Sequence, residues 1–135
     1  MATQKHQFII GLLVRKMKES GCKITAIDGD YPGLFGENLP TPPTILRHRP
    51  DVMGINSDSQ ICIGEAKTAN DINNQRTLAQ LQDFANLELN GRMCEVFIGI
   101  PKSVETSFYK ILKKINLRLA KNIHILLIPD EIINE

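Results

Sequence analysis

Apolar residues recur along the chain with two different spacings, and the change from one to the other predicts where helices and strands lie. Over residues 4–20 the apolar positions cover a broad arc at helical spacing, no proline interrupts them, and Gly21 follows, which predicts a helix. Over residues 22–28 the pattern changes to alternation, with Ile24 and Ala26 on one face, which predicts a strand. The chain therefore begins with a helix followed by a strand.

Glycine and proline dominate the next stretch, residues 29–46. They occur as Gly29, Pro32, Gly33, Gly36, Pro40, Pro42 and Pro43. This density excludes regular secondary structure and predicts a long loop. Loops of this length inside compact domains are uncommon and tend to be functional.

Two short alternating stretches on either side of a turn at 56–59 predict a β-hairpin. In its second strand the period of two puts Glu65 and Lys67 on the same face. Asp51 directly follows a proline at the start of the first strand, where the register can bring its carboxylate opposite Glu65. The hairpin thus predicts two carboxylates and an ammonium group at one place, which is the raw material of a metal site.

The second half of the chain alternates helices with apolar strands. Helices are predicted over about 70–89 and 103–121, and strands over 93–100 and 123–128. Strands that alternate with helices imply right-handed crossovers and parallel pairing, whereas the hairpin is antiparallel. The sequence therefore predicts a single α/β domain over residues 1–135, of element order α-β-β-β-α-β-α-β, with a mixed sheet of about five strands flanked by helices.

Composition and charge narrow the class of protein. A chain of 135 residues is long enough for one domain with a sizeable core. Its 16 basic and 15 acidic residues nearly cancel, so any affinity for nucleic acid must come from local clusters of charge. The three cysteines lack the spacing of a zinc site and predict buried thiols and a reducing cytoplasm. No segment approaches the roughly 20 apolar residues of a membrane span, and no export signal is evident, so we expect a soluble cytoplasmic protein without membrane contact.

Several short motifs together resemble a known nuclease family. A Pro-Asp pair ending at Asp51 and, after a gap of thirteen residues, the sequence Glu-Ala-Lys beginning at Glu65 resemble the PD-(D/E)XK nuclease superfamily, also called the restriction-endonuclease-like fold. The predicted order of elements matches the α-β-β-β-α-β core of that family. The sequence Gln-Leu-Gln-Asp-Phe beginning at Gln80 looks like the glutamine motif that many members carry, commonly with tyrosine where this chain has Phe84.

The resemblance implies a role for each residue of the hairpin motif. Asp51 and Glu65 would ligate Mg²⁺, with Mn²⁺ as the other candidate ion and the backbone carbonyl of Ala66 as a further ligand. Lys67 would orient or help deprotonate the attacking water and stabilise the charge that builds on the phosphate.

The resemblance also implies roles for two helices. Gln80 or Gln82 would hold the lysine or the substrate backbone. Glu19, near the end of the first helix, could correspond to the first-helix carboxylate of some members and add a metal ligand. The alternative for Glu19 is a solvated side chain at a fraying helix end.

Basic residues immediately before Asp51 bear on the partner. Arg47, His48 and Arg49 would lie at the rim of the site, where positive charge can hold a nucleic-acid phosphate. We therefore expect a metal-dependent DNA endonuclease, directed by DNA structure or by a partner protein and acting as a homodimer with one site for each strand. Two alternatives remain open: a non-catalytic DNA-binding or assembly subunit that keeps the nuclease-like fold, and an unrelated small α/β domain with a different partner. For Glu65 and Lys67 themselves, the alternative is a surface ion pair on an edge strand.

Overall fold

A computed structural model describes residues 4–29, 39–72, 74–115 and 120–133. Its helices are α1 (Gln4–Glu19), α2 (Gln75–Ala85), α3 (Glu105–Leu112) and α4 (Asp130–Ile133). Its strands are β1 (Lys23–Ile27), β2 (Val52–Ile55), β3 (Ile61–Ala66), β4 (Glu88–Leu89), β5 (Arg92–Met93), β6 (Glu95–Pro101) and β7 (Ile123–Ile128). Short 3-10 turns occupy Ala69–Asp71, Lys102–Val104 and Ala120–Asn122.

Five strands form one mixed sheet in the order β1-β2-β3-β6-β7. The first three are antiparallel neighbours, whereas β6 pairs in parallel with both β3 and β7. Helices flank this sheet, so the predicted α/β fold class with a five-strand mixed sheet is confirmed. No helix in the described ranges is long and apolar enough to cross a membrane.

Helix α1 lies unusually close to the sheet because two glycines leave room for it. A Cβ atom on Gly64 would lie 2.8 Å from Met17 Sδ, and one on Gly99 would lie 2.9 Å from Ile9 Cγ2. Ile9, Leu13 and Met17 are fully buried in this layer. Their burial contributes roughly 1.5–3 kcal/mol for each side chain, and it fixes which end of α1 stands over which end of β3.

The other face of the sheet packs against α2 and α3. Phe84 of α2 and Phe108 of α3 are fully buried there, together with Ile63 of β3. Cys62, one position away on β3, belongs instead to the layer beneath α1, as the alternation of a strand requires. Glu65 shares the parity of Ile63, so its side chain leaves the sheet on the side of α2. The three cysteines are buried and unbridged, as predicted.

The helix predicted over about 70–89 differs at both ends from α2. Asn74 caps α2 by accepting a 2.8 Å hydrogen bond from the Thr77 N–H, so the helix begins later than predicted, and it ends at Ala85. Residues 90–91 form the turn of the small β4–β5 hairpin, where both residues have positive φ. Asn-Gly is the strongest short-range hairpin signal, and it outweighed the helical pattern.

The structure describes only part of the predicted long loop and of the helix predicted over 103–121. Residues 30–38 of the predicted loop lie outside the described residues, and so do 116–119 of the helix predicted over 103–121. In the described residues α3 is shorter than that predicted helix, because a 3-10 turn precedes it, it ends at Leu112 with Lys113 as its C-cap, and residues 120–122 form a separate 3-10 turn.

Candidate functional site

Asp51 and Glu65 face each other across the first antiparallel pair of the hairpin. Val52 pairs with Gly64, so the residue before β2 lies opposite Glu65. The Asp51 N–H donates a 2.8 Å hydrogen bond to Glu65 Oε2, and the Ala66 N–H donates a 2.8 Å bond to Asp51 Oδ2. Each carboxylate is therefore fixed by a backbone donor of the other strand, which is the register that the alternating pattern predicted.

Glu65 and Lys67 form a buried pair in the middle of the sheet. Glu65 is 1% exposed and Lys67 is 9% exposed, and Lys67 Nζ lies 3.6 Å from Glu65 Oε1. Lys67 Nζ also donates a hydrogen bond to Oε1 of Gln80, which lies on the buried face of α2. The alternative of a surface ion pair on an edge strand is wrong, because β2 and β6 cover both edges of β3.

Burial dominates the electrostatics at Glu65. Burial and then the charge of Asp51 raise the pKa of the Glu65 carboxyl to about 8, against the opposing effects of Lys67 and of the Asp51 N–H. Lys67 thus does not fully offset the cost of ionising a buried carboxyl group beside a second carboxylate. A divalent cation that accepts oxygen ligands would favour the ionised form of Glu65, so the donor set fits such an ion.

Helix α1 contributes a residue that the sequence analysis missed. The side chain of His6 is only 19% exposed, and its Nε2 lies 3.4 Å from Asp51 Oδ2. The hydrogen bond to Asp51 raises the pKa of His6, although burial opposes the shift. A signal was available, because His6 precedes the buried Ile9 and Ile10 by three and four residues and therefore lies on the same stripe of the helix.

Two predicted site residues lie elsewhere. Glu19 is thirteen residues beyond His6 on α1, which at 1.5 Å per residue is about 20 Å further along the helix. Its side chain is 65% exposed and lies 3.8 Å from Arg15, so the solvated alternative describes it. Gln82 is exposed on the outer face of α2, since two residues correspond to about 200° of rotation from the buried Gln80.

The three residues before the Pro-Asp pair divide into two kinds. Arg47 and Arg49 are exposed and line the cleft above the carboxylates. His48, predicted at the rim, is 7% exposed instead. Its Nε2 lies 2.9 Å from Asp83 Oδ2, and its ring meets the edge of Phe84 at a centroid distance of 5.6 Å. His48 is therefore a packing residue and does not line the cleft.

Asp83 of α2 contacts both the Arg47 guanidinium group and the His48 ring. Arg47 Nη2 donates to Asp83 Oδ2 at 3.0 Å, on the same oxygen that meets His48. Burial raises the pKa of this carboxyl, but the hydrogen bonds from Arg47 and His48 outweigh it, and the net shift is downward. This carboxylate is ionised and paired.

The charged residues open into a cleft of about 1030 Å³. Its lining includes Asp51, Glu65 and Lys67, which we call its floor, and residues of two stretches that we call its walls, the loop at 44–49 and the residues 68–72 and 74–77. In the described ranges no three His, Cys, Asp or Glu side chains lie together as a complete metal site. An ion held here would rely on two carboxylates with backbone and water oxygens, a set typical of Mg²⁺.

Comparisons with known proteins give one structural similarity. No protein-family model and no curated protein matches this chain. A solved crystal structure of a repair endonuclease from Pyrococcus abyssi is similar at 12% identity with a TM-score of 0.44, and the match covers 96% of this chain and 48% of that one. The chain thus spans about half the length of that endonuclease.

Proposed function

We propose that the protein is a metal-dependent endonuclease that hydrolyses phosphodiester bonds in DNA, of the PD-(D/E)XK type that its sequence resembles. The observation that carries the proposal is the pairing of Asp51 with the buried Glu65, whose pKa is raised, beside a lysine that Gln80 of α2 contacts. Exposed arginines line the cleft above it, which suits an anionic substrate.

Two carboxylates and one backbone carbonyl would hold Mg²⁺ or Mn²⁺. The Ala66 N–H points towards Asp51, and a strand residue directs its N–H and C=O to the same edge, so the Ala66 carbonyl is expected beside the two carboxylates. A bound ion would polarise a phosphate oxygen and lower the pKa of a bound water. The nearby His6 would hold the Asp51 carboxylate in position by its contact with Oδ2.

Lys67 would act on the substrate from a fixed position. Its ammonium group has three donors; the Gln80 oxygen accepts one, and Glu65 lies close to a second. The remaining donor is available to the attacking water or to a phosphate oxygen in the cleft, where it would stabilise charge that builds in the transition state. Gln80 would be a positioning residue for Lys67.

The direct test is DNA cleavage with Mg²⁺ or Mn²⁺ by the protein and by Glu65→Gln and Lys67→Met, with duplex, single-stranded and branched substrates. We expect cleavage that each substitution lowers about 100-fold or more, with the exposed Glu19→Gln as an acidic-residue control that retains full activity. Absence of cleavage of all three substrates would overturn the enzyme proposal in favour of a non-catalytic DNA-binding subunit. Cleavage that survives both substitutions would place the active site elsewhere.

A further inference from the structure

The arginines of the described residues fall into two groups according to their partners. Three have an oxygen partner within 4 Å: Arg15 with Glu19, Arg47 with Asp83, and Arg92 with the Asp58 carbonyl. The other two, Arg49 and Arg76, make no hydrogen bond or ion pair in the described part of the chain. Both are exposed, and both line the cleft.

These two arginines belong to the two walls of the cleft. Arg49 lies two residues before Asp51, on the loop at 44–49. Arg76 lies on α2, four residues before Gln80. Residues four apart on a helix are neighbours on one face, so Arg76 stands one turn from the glutamine that holds Lys67. Each wall thus carries, next to the charged floor, one guanidinium group without a partner in the described ranges.

Local stability does not explain the position of Arg76. It occupies the first turn of α2, where the helix dipole disfavours a cation, and no acidic residue of that turn compensates. An arginine that gains nothing from its helix and has no partner among the described residues is available for an anion from outside. Guanidinium groups bind phosphate through paired, charge-assisted hydrogen bonds.

We propose that Arg49 and Arg76 form a clamp that binds backbone phosphates of a DNA strand on both sides of the phosphodiester over Asp51, Glu65 and Lys67. The inference rests on the proposed function for the bond that is cut, and it adds the residues that position the strand. Because the net charge of the chain is only +1, local charges of this kind must supply the electrostatic affinity.

The test measures the salt dependence of DNA binding. A short fluorescein-labelled duplex is titrated by anisotropy with the full chain carrying Glu65→Gln, which keeps the DNA intact, at several NaCl concentrations. Each lost phosphate contact lowers the slope of log K against log[salt] by about 0.9. We expect that loss for Arg49→Gln and for Arg76→Gln, and about twice that loss for the double variant. Arg15→Gln removes the same charge outside the cleft and is expected to leave the slope unchanged.

The outcomes separate the clamp from the proposed function. Slopes that fall as expected in a protein that cuts no DNA would support the clamp and overturn the endonuclease. Conversely, cleavage with slopes for Arg49→Gln and Arg76→Gln equal to that of Arg15→Gln would overturn the clamp alone. The same titration with an RNA duplex distinguishes the two backbones, and a change of slope confined to RNA would overturn the assignment to DNA.

The melting temperature shows whether the Arg76→Gln variant keeps the fold. Arg76→Gln removes a cation from the first turn of α2, so we expect a melting temperature equal to or slightly above that of the unsubstituted chain. A lowered melting temperature together with a lowered slope would show that Arg76 supports the fold, and it would contradict its place in the clamp.

Discussion

Two acidic clusters lie next to the same helix, and their electrostatics are opposite. At Asp83, an exposed arginine and the ring of His48 both contact the carboxylate, and its pKa is lowered. At Glu65, burial and the neighbouring Asp51 carboxylate outweigh the effect of Lys67, and the pKa of Glu65 is raised. The first cluster is complete within the protein and stabilises the approach of the loop at 44–49 to α2. The second cluster is incomplete, in the sense that its partners do not fully stabilise the ionised form of Glu65, as the partners of a structural ion pair would.

The largest expected difference between the clusters is in catalysis. Lys67→Met should lower DNA cleavage about 100-fold or more, because a donor to the developing charge is lost. Asp83→Asn, which alters the structural cluster, should leave the rate per folded molecule within a few-fold of the original. Single-turnover cleavage rates for both variants, with circular dichroism to check folding, make the comparison. Equal losses for the two variants would abolish the distinction between the clusters.

The pH dependence of stability should have opposite signs at the two clusters. The pKa of Glu65 is higher in the folded chain than its ordinary value of 4.5, so the folded state binds the extra proton. In metal-free buffer the free energy of unfolding should therefore fall as pH rises from about 4.5 towards 8, by an amount on the order of a few kcal/mol. Glu65→Gln should remove that dependence. Urea denaturation at several pH values tests this, and a Glu65→Gln profile identical to the original would contradict it.

For Asp83 the sign is reversed. Its lowered pKa gives stability that is present above the ordinary pKa of an aspartate and is lost as pH falls through the folded value. Asp83→Ala should destabilise the chain at neutral pH by about 1–3 kcal/mol, because the buried ring of His48 loses its hydrogen-bond partner. Chemical denaturation gives the value, with Arg47→Gln as a matched variant that removes only the exposed partner and should cost less than about 1 kcal/mol.

The smallest expected effect concerns Glu19, a carboxylate that lies outside both clusters. Glu19→Gln removes an exposed pair with Arg15 and should change the free energy of unfolding by less than about 0.5 kcal/mol, with no change in metal affinity. Calorimetry of Mn²⁺ binding to this variant checks the second point. A clear loss of metal affinity would return Glu19 to the ligand set.

Local periodicity predicted the floor of the cleft, but it did not predict what surrounds the floor. The period of two and the hairpin register bring Asp51 opposite Glu65, because strand alternation depends only on neighbouring residues. A helical wheel gives the rotation of a side chain but not which end of the helix faces the site. The resemblance suggested Glu19, near the last turn of the helix, whereas the end that carries His6 faces Asp51.

Two further differences between the prediction and the structure concern the glutamines of α2 and His48. The stripe of Thr77, Leu81 and Phe84 includes Gln80 and excludes Gln82, so the sequence already contained the choice between the two glutamines. His48 could not be assigned in this way. Its burial depends on Asp83, which lies 35 residues away on α2, and no local pattern reports such a contact.

Calorimetric titration of Mg²⁺ and Mn²⁺ into the protein tests the central claim most directly, because it needs no substrate. We expect binding to the unsubstituted chain and to Asp83→Asn, and at least tenfold weaker binding to Asp51→Asn and to Glu65→Gln, since each removes a charged oxygen ligand. Binding should also weaken as pH falls below about 8, because protons compete for Glu65. Failure of the unsubstituted chain to bind either ion, or equal affinity in Glu65→Gln, would contradict the claim that the incomplete cluster is a metal site.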